Sequence, residues 1–472
     1  MSHKIHKHNR TWFVSLDGND MSGRMGDAER PYQNIQTVIP LVNDGDTIHV
    51  RQGVYDFAGI NPSFGRDGIR IFYYLEAGVK FIKNDMITNV IAFGFGDEIV
   101  ETDLSGYDVS ILGHGEFSSN SSSGRVLGVG QYNGQFNLES DRITITDGVD
   151  GVYSHANRSD IKIRELIQGT GRTGYSSRTS PNGANTYERY IKIDYLEMDQ
   201  NPVVSRGCRM QPSGGPSDTL DFIEIGHIRC NPGSYMRLTP VYFQTDVGVT
   251  RGNYVVRVGS IRDFSNSGNL LQPYSSVSND AGLIGGMFAF AGPGGALNEA
   301  CIWDINYGAV YSNRQILSLQ GSDFRLGSMA KFHCENGFTT GQPAIGVYDP
   351  HISESSRVII SGNYTTSAAS PCVLINQLQF GDGTGKLIFK DCRFESQGIG
   401  QPVVAINGNS VDHSTIQFEN CTFINDMNVA PVVSNAGAPI NINFINCYAN
   451  SLVLDVNITE TIDTITRNTN II

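Results

Sequence analysis

Three segments near the C-terminal end decide the fold: LIFKDCRF at residues 387–394, IQFENCTF at 416–423 and INFINCYA at 442–449. Each sets an apolar residue, a second apolar residue two positions on, and a cysteine three positions after that. The cysteines, Cys392, Cys421 and Cys447, follow one another at 29 and 26 residues, and no helical periodicity separates the copies. A strand-like repeat of this length marks a solenoid, in which each coil buries its apolar face only against its neighbours. Alternation along a strand then turns the apolar residues inward and residues such as Lys162, Lys192, Glu224, Arg257 and Gln417 outward.

Traced backwards, the pattern recurs in whole or part at Val358/Ile360, Phe324/Leu326/Met329, Trp303/Ile305, Val256/Val258/Ile261 and Ile223/Ile225/Ile228. It continues through Ile191/Ile193/Leu196, Ile161/Ile163/Leu166, Ile143/Ile145 and Val109/Ile111. Most steps lie near 30 residues; the step from Val258 to Ile305 is 47 and the next, to Leu326, is 21. Gly226, Gly259, Gly327, Gly362, Asn420 and Asn446 stand just before the third apolar position. These residue types tolerate the left-handed backbone of a tight bend. The cysteines recur because the coil recurs, at a place other coils fill with Leu, Ile or Met. They therefore read as core filler rather than thiolate ligands, and neither a metal nor a cofactor is expected.

The N-terminal part carries a more specific signal. VSLDGND at 14–20, PYQNIQTVI at 31–39 and DGDTIHVRQGVY at 44–55 follow in order. Ile35, Val38, Ile39 and Val42 have helical spacing behind a potential cap at Asn34, and Pro40 keeps the helix short. These segments resemble the N-terminal cap of the right-handed parallel β-helix, or pectate-lyase-like, superfamily, which includes polysaccharide lyases, hydrolases, epimerases and many phage tailspikes. The resemblance implies an all-β, right-handed, single-stranded parallel β-helix with a short capping helix. Its expected divisions are a polar N-terminal peptide at 1–10, a cap at 11–44, the β-helix at 45–451 and a contact strand or tail at 452–472. Asn420 and Asn446 are similar to the asparagine ladder of such helices.

Composition narrows the function. The formal charge of −13 argues against nucleic acid, no stretch is apolar enough to span a membrane, and MSHKIHKHNRTW lacks the apolar core of a secretory signal. Eight cysteines among 472 residues form no disulfide framework. The resemblance implies a bacteriophage tailspike, fibre or adhesin-type protein, made in the host cytoplasm and carried on the virion. Such a protein would be a homotrimer that docks to other virion proteins through its N-terminal peptide and binds host surface polysaccharide. A polysaccharide-active enzyme and a purely structural virion component are the alternatives.

Candidate site residues lie in the loops between coils, where side chains are free of the repeat. Arg172, Tyr175, Arg178 and Tyr187 occupy the loop at 168–188, Tyr235 the next and Tyr274 the Gly-rich insertion at 266–298. Tyrosine faces stack on sugar rings and arginines bond hydroxyls; packing on a neighbouring coil or subunit is the competing reading. Asp97, Glu98, Glu101, Asp103, Glu116 and Asp147 offer carboxylates for glycosidic hydrolysis, with no spacing that selects a pair. The Gly113–Gly115 motif GHG reads as a turn. Tyr348-Asp349-Pro350-His351 resembles the D-P-H core of mannuronan C5-epimerases. That implies proton transfer by Asp349 and His351 with help from Tyr348, although Ile352 stands where that family has an acidic residue.

Overall fold

The computed structural model describes residues 10–58, 64–66, 68–83, 91–94, 108–119, 125–129, 135–145, 150–154, 156–169, 173–178, 187–198, 205–211, 219–231, 238–244, 252–264, 288–291, 301–320, 323–324, 327–348, 350–353, 355–376, 379–380, 385–407, 415–426, 428–434, 440–450, 458–462 and 465–467. Among these the protein is a parallel β-solenoid with one short helical segment, Ile35–Val38, continued by a 3-10 turn at Ile39–Leu41. Two compact units form: residues up to Arg178 with Asn185–Leu196, and Thr179–Ala184 with the chain from Glu197 onward.

The N-terminal unit opens with the cap. Ile35, Val38, Ile39 and Val42 are all buried, as their spacing requires. Asn34 does not cap the helix with its side chain. Its amide instead bonds Asp20, whose carboxylate also receives the backbone N–H groups of Gln33 (2.8 Å) and Asn34 (2.9 Å) and the Thr37 hydroxyl (3.1 Å). Partial burial would raise the Asp20 carboxyl, but these donors outweigh it and hold the group below its ordinary value. Asp20 is thus the clasp between the first turn and the helix.

Beyond the cap, Thr11–Val14, Thr47–Val50, Arg70–Leu75, Asp108–Gly113, Gln135–Ile145 and Arg158–Gln168 pair in parallel, one per coil. One rung runs Trp12, Ile48, Tyr73, Ile111, Leu138, Ile161, and every member is buried. A second ladder turns the corner: Gly53–Asp56, Val79–Lys83, Glu116–Ser119 and the far half of Gln135–Ile145 stack Tyr55, Phe81, Phe117 and Ile143. Ile143 pairs with Leu166, so it belongs to this second ladder and the coil's first apolar pair is Phe136 and Leu138.

In the C-terminal unit the inward row is Ile223, Val256, Ile305, Phe332, Ile360, Phe389, Phe418, Phe444. The expected coil Phe324/Leu326/Met329 is misregistered. Ala330 and Phe332 take its place, and Phe324 joins a short third ladder with Ile352 and Phe380. A small Ala at the first inward position hid the true register. The step of 21 follows from that slip, since Ile305 faces Phe332, whereas the long step is real: Val256 faces Ile305 and Val258 faces Tyr307 across the Gly-rich insertion.

The three opening segments form the most regular part. Phe389 stacks on Phe418 at 4.8 Å and 10°, and Phe418 on Phe444 at 5.4 Å and 12°. Tyr364, Phe394 and Phe423 make a second stack at 5.9 Å spacings. Each cysteine donates to a backbone carbonyl of the coil before: Cys392 to Ile360 (3.2 Å), Cys421 to Phe389 (3.2 Å) and Cys447 to Phe418 (3.3 Å). The thiols are core filler, as expected, but their row continues back through Gly362, Cys334, Tyr307, Val258 and Ile225 rather than through the third apolar positions Met329, Ile261 and Ile228. Register shifts near Cys334 and Ile360 account for the difference.

The bends also divide. Gly362, Asn420 and Asn446 have positive φ, and Asp391 joins them at φ 54°; Asn420 Nδ2 donates to Asp391 Oδ1 at 2.9 Å. Gly226 and Gly259 instead lie inside unbroken strands, Thr219–Cys230 and Gly252–Asp263, without that conformation. Their role is close approach. A Cβ on Gly259 would meet Gly226 O at 2.6 Å, and one on Gly308 would meet Gly259 O at 2.3 Å. The tail strands Ile458–Ile462 and Ile465–Arg467 pair on Ile440–Ile445 and Cys447–Ala449, adding a level to the stack.

Candidate functional site

A groove of about 230 Å³ lies on the N-terminal unit, lined by Gly113–His114, Glu139–Asp141, Lys162–Arg164, Lys192 and Asp194. It is built at the corner where the first ladder passes into the second. Gly113 has φ 107°, and a Cβ there would sit 2.2 Å from Leu75 O; one on Gly115 would sit 2.2 Å from Leu75 Cδ1. Only glycine fits at Gly113, where the obstacle is backbone and φ is positive; at Gly115 a side chain would displace the Leu75 methyl. The GHG turn is therefore structural in its glycines, as expected, while the residue between them is pushed outward.

Corner residues on successive coils stand over one another. They follow Leu75, Gly113, Ser140 and Ile163, and are Glu76, His114, Asp141 and Arg164. His114 Nδ1 lies 3.3 Å from an Asp141 oxygen, and Arg164 Nη1 lies 3.9 Å from the other. His114 is 59% exposed and Asp141 25%, so the carboxylate forms the base of the groove and the imidazole its rim. Backbone bonds fix both: His114 N–H donates to Leu75 O, and Asp141 N–H to Gly115 O. Beside this column, Lys162 lies 3.6 Å from Glu139 and 3.5 Å from Asp160. Glu76 is engaged further up, accepting from Gln52 N–H and lying 2.8 Å from His49 Nε2.

A parallel outward column leads to the groove. Phe13, His49, Tyr74 and Leu112 are register partners on four coils, with ring spacings of 5.3 Å and 5.0 Å down to Tyr74. Tyr74 is 46% exposed. The next coils carry Glu139 and Lys162 beyond Leu112, so an aromatic strip passes into a charged one. A surface of this kind presents ring faces to apolar sugar faces and fixed charges to ionic substituents.

The residues expected from the loops are placed differently. Tyr175 and Tyr187 are fully buried, which corrects the expectation that their rings face a sugar; the Arg189 guanidinium covers Tyr187 at 5.1 Å. Arg178 closes the strand Thr173–Arg178. Arg172, Tyr235, Tyr274 and Asp349 lie outside the described residues, as do Asp97, Glu98, Glu101, Asp103 and Asp147. Tyr348 is buried at the end of Ile345–Tyr348, and its hydroxyl accepts from Gln315 Nε2. Burial raises the Tyr348 phenol, against the opposing effect of that bond, and keeps it protonated at neutral pH. His351 is half-buried in the separate short strand His351–Ile352. Glu116 pairs with Lys80 at 3.2 Å.

Among the described residues no group of three or more His, Cys, Asp and Glu side chains is arranged to hold a metal ion. Every cysteine is a buried free thiol. The groove residues escaped the sequence because each comes from a different coil; only the register, once known, brings Glu76, His114, Asp141 and Arg164 into one column. Comparison with protein-family models, with curated proteins and with solved structures finds no match to this chain.

Proposed function

We propose that this protein is a glycan-binding β-solenoid of the tailspike or fibre type, borne as a homotrimer on a bacteriophage particle, and that the groove of its N-terminal unit receives the glycan. The observation that carries this reading is the outward strip on consecutive coils, aromatic from Phe13 to Tyr74 and, past Leu112, charged at Glu139 and Lys162, with the His114, Asp141 and Arg164 column beside it. Coils repeat at roughly 4.8 Å, so a polymer lying along the strip meets a new side chain at each level. The β-solenoid fold and the absence of disulfides among the eight cysteines support the virion assignment.

The test is binding of the intact chain to immobilised capsular polysaccharides, alongside Tyr74→Ala and Arg164→Glu. Tyr74 is about half exposed and Arg164 more so, and circular dichroism checks that each variant keeps the fold. Each is expected to weaken binding at least about tenfold, equivalent to about 1.4 kcal/mol. Unchanged binding by both would remove the groove from the reading, and a native mass equal to one chain would remove the trimer. A second reading, a polysaccharide-active enzyme on the same fold, is favoured by one observation: an imidazole at the rim of the groove rests on a carboxylate at its base.

A further inference from the structure

We propose that the glycan received by the groove is zwitterionic, with an ammonium and a carboxylate on consecutive sugars, and that Asp194 takes the ammonium and Arg164 the carboxylate. The inference rests on the reading that a glycan lies in this groove, and assigns its charge class.

The lining is the first observation. Lys162, Arg164 and Lys192 are matched by Glu139, Asp141 and Asp194, so neither sign prevails. The corner column also changes sign from coil to coil. Asp141 follows Ser140, Arg164 follows Ile163 and Asp194 follows Ile193, and Ile163 and Ile193 are both buried. Glu188 N–H donates to Asn157 O, with the offset that Gly169 N–H and Ile145 O show one coil earlier. That offset sets Ile163 beside Ile193, and hence Arg164 beside Asp194. Opposite charges thus stand one coil step apart, at roughly 4.8 Å.

The second observation is what this pair leaves undone. Arg164 and Asp194 make no ion pair with each other, although they are neighbours in register. Arg164 reaches Asp141 only at 3.9 Å, beyond hydrogen-bond range, and is 59% exposed. Asp194 is exposed and has no hydrogen bond or ion pair among the described residues. The charges around them are already engaged. Asp141 faces His114, and Lys162 lies between Glu139 and Asp160. One guanidinium and one carboxylate therefore stay open, side by side on the lining.

Energetics then select the ligand. Covering a charge without supplying its counter-charge costs the hydration of that charge. A neutral glycan would cover Arg164 and Asp194 and compensate neither. A polyanion would satisfy Arg164 and stand against Asp194; a polycation would do the reverse. The net charge of −13 adds to the repulsion of a polyanion. A polymer carrying both signs replaces water at both side chains. The guanidinium makes two parallel bonds to a planar carboxylate, and the Asp194 oxygens accept from an ammonium. A sugar is about as long as one coil step, so the two groups sit on consecutive sugars of a chain that follows the column. Selectivity then comes from repelling the wrong polymer as well as from holding the right one.

The experiment titrates the intact chain, by calorimetry, with three charge forms of one backbone. These are hyaluronan, a polyanion; partially de-N-acetylated hyaluronan, which carries amines beside its carboxylates; and the methyl ester of the second, which keeps only the amines. The zwitterionic form should bind at least about tenfold more tightly than either of the others, since like-charge contacts penalise both. Arg164→Gln should make the zwitterion and its ester bind alike. Asp194→Asn should make the zwitterion and hyaluronan bind alike, and circular dichroism should be unchanged in both variants. A preference that survives both substitutions would overturn the assignment to these residues. Equal binding of the three forms, or tighter binding of a single-sign form, would overturn the charge class and leave the glycan reading standing. So would failure to bind the zwitterion by a chain that does bind capsular polysaccharides. Absence of binding to every one of these polymers would overturn the two readings together.

Discussion

Phe418 is the sharpest place to test how this stack holds together. It is fully buried, sandwiched between Phe389 at 4.8 Å and Phe444 at 5.4 Å, with Phe423 edge-on at 5.3 Å. Truncating a buried Phe to Ala costs about 3–5 kcal/mol, and each stacked partner contributes about 0.5–1.5 kcal/mol beyond area burial. Two partners are lost here, so Phe418→Ala belongs at the upper end, about 4–5 kcal/mol. In a solenoid that loss falls on nearest-neighbour interfaces rather than on the whole chain. Amide hydrogen exchange read by mass spectrometry is the assay. Peptides covering 386–396, 415–424 and 440–449 should lose protection by roughly 10³-fold, at about 1.4 kcal/mol per tenfold. Peptides covering 11–14, 47–50 and 70–75 should be unchanged. Phe418→Leu, which keeps most of the volume, should cost about 1–2 kcal/mol. A loss below about 1 kcal/mol for the alanine variant, or a uniform loss of protection in both units, would refute the ladder as a local source of stability.

Other predictions concern the bends, the buried ion pair and the thiols. Asn420 has φ 54°, so Asn420→Ala should cost about 1–2 kcal/mol and Asn420→Gly distinctly less; equal costs on urea denaturation would mean that the bond to Asp391, not the backbone, sets the preference. Asp263 and Arg314 are both fully buried, bonded at 2.9 Å, with Ser312 donating to the same carboxylate oxygen at 2.8 Å. Arg314→Met alone should cost about 3–5 kcal/mol, whereas Asp263→Leu with Arg314→Met should recover most of it; a double variant no better than the single would contradict that reading. Burial pushes the Cys208 and Cys334 thiols from 9.0 up to about 12. Below pH 9 both states hold the proton and stability is flat. Between pH 9 and about 12 only the unfolded chain ionises, so stability falls as pH rises. Cys208→Ala should make that fall shallower in thermal melts, and an unchanged slope would place the effect elsewhere.

What could be read from the sequence was whatever recurred at the coil period. Phe389, Phe418 and Phe444 announce their equivalence because aromatic, cysteine and Asn/Asp columns repeat together. Ala330 did not announce itself, because a methyl group gives little hydrophobic signal, and the stronger Phe324 drew the register away. Gly226 and Gly259 read as bends in the sequence because glycine serves both left-handed turns and close backbone approach. Tyr175 and Tyr187 looked like loop residues but are core, since the strands Thr173–Arg178 and Tyr187–Met198 reach further than the apolar pattern. The groove was illegible for a different reason. Glu76, His114, Asp141 and Arg164 are unremarkable singly, and become neighbours only through the pairing of Arg70–Leu75, Asp108–Gly113, Gln135–Ile145 and Arg158–Gln168.

The glycine column Gly226–Gly259–Gly308 bears on how such a chain can vary by descent. Gly259 and Gly308 are each constrained by the carbonyl of the glycine one coil before, not by their own sequence neighbours. Acceptable substitutions should therefore arrive in vertical sets, and related sequences should covary at the coil period. Length should behave in the opposite way. Gly226 and Gly259 are one rung apart, as are Gly259 and Gly308, yet far more chain lies in the second interval. Connections can lengthen freely and whole coils can be duplicated. One residue gained or lost inside a strand would turn its apolar row to the solvent, so insertions and deletions should collect in the connections and spare the columns.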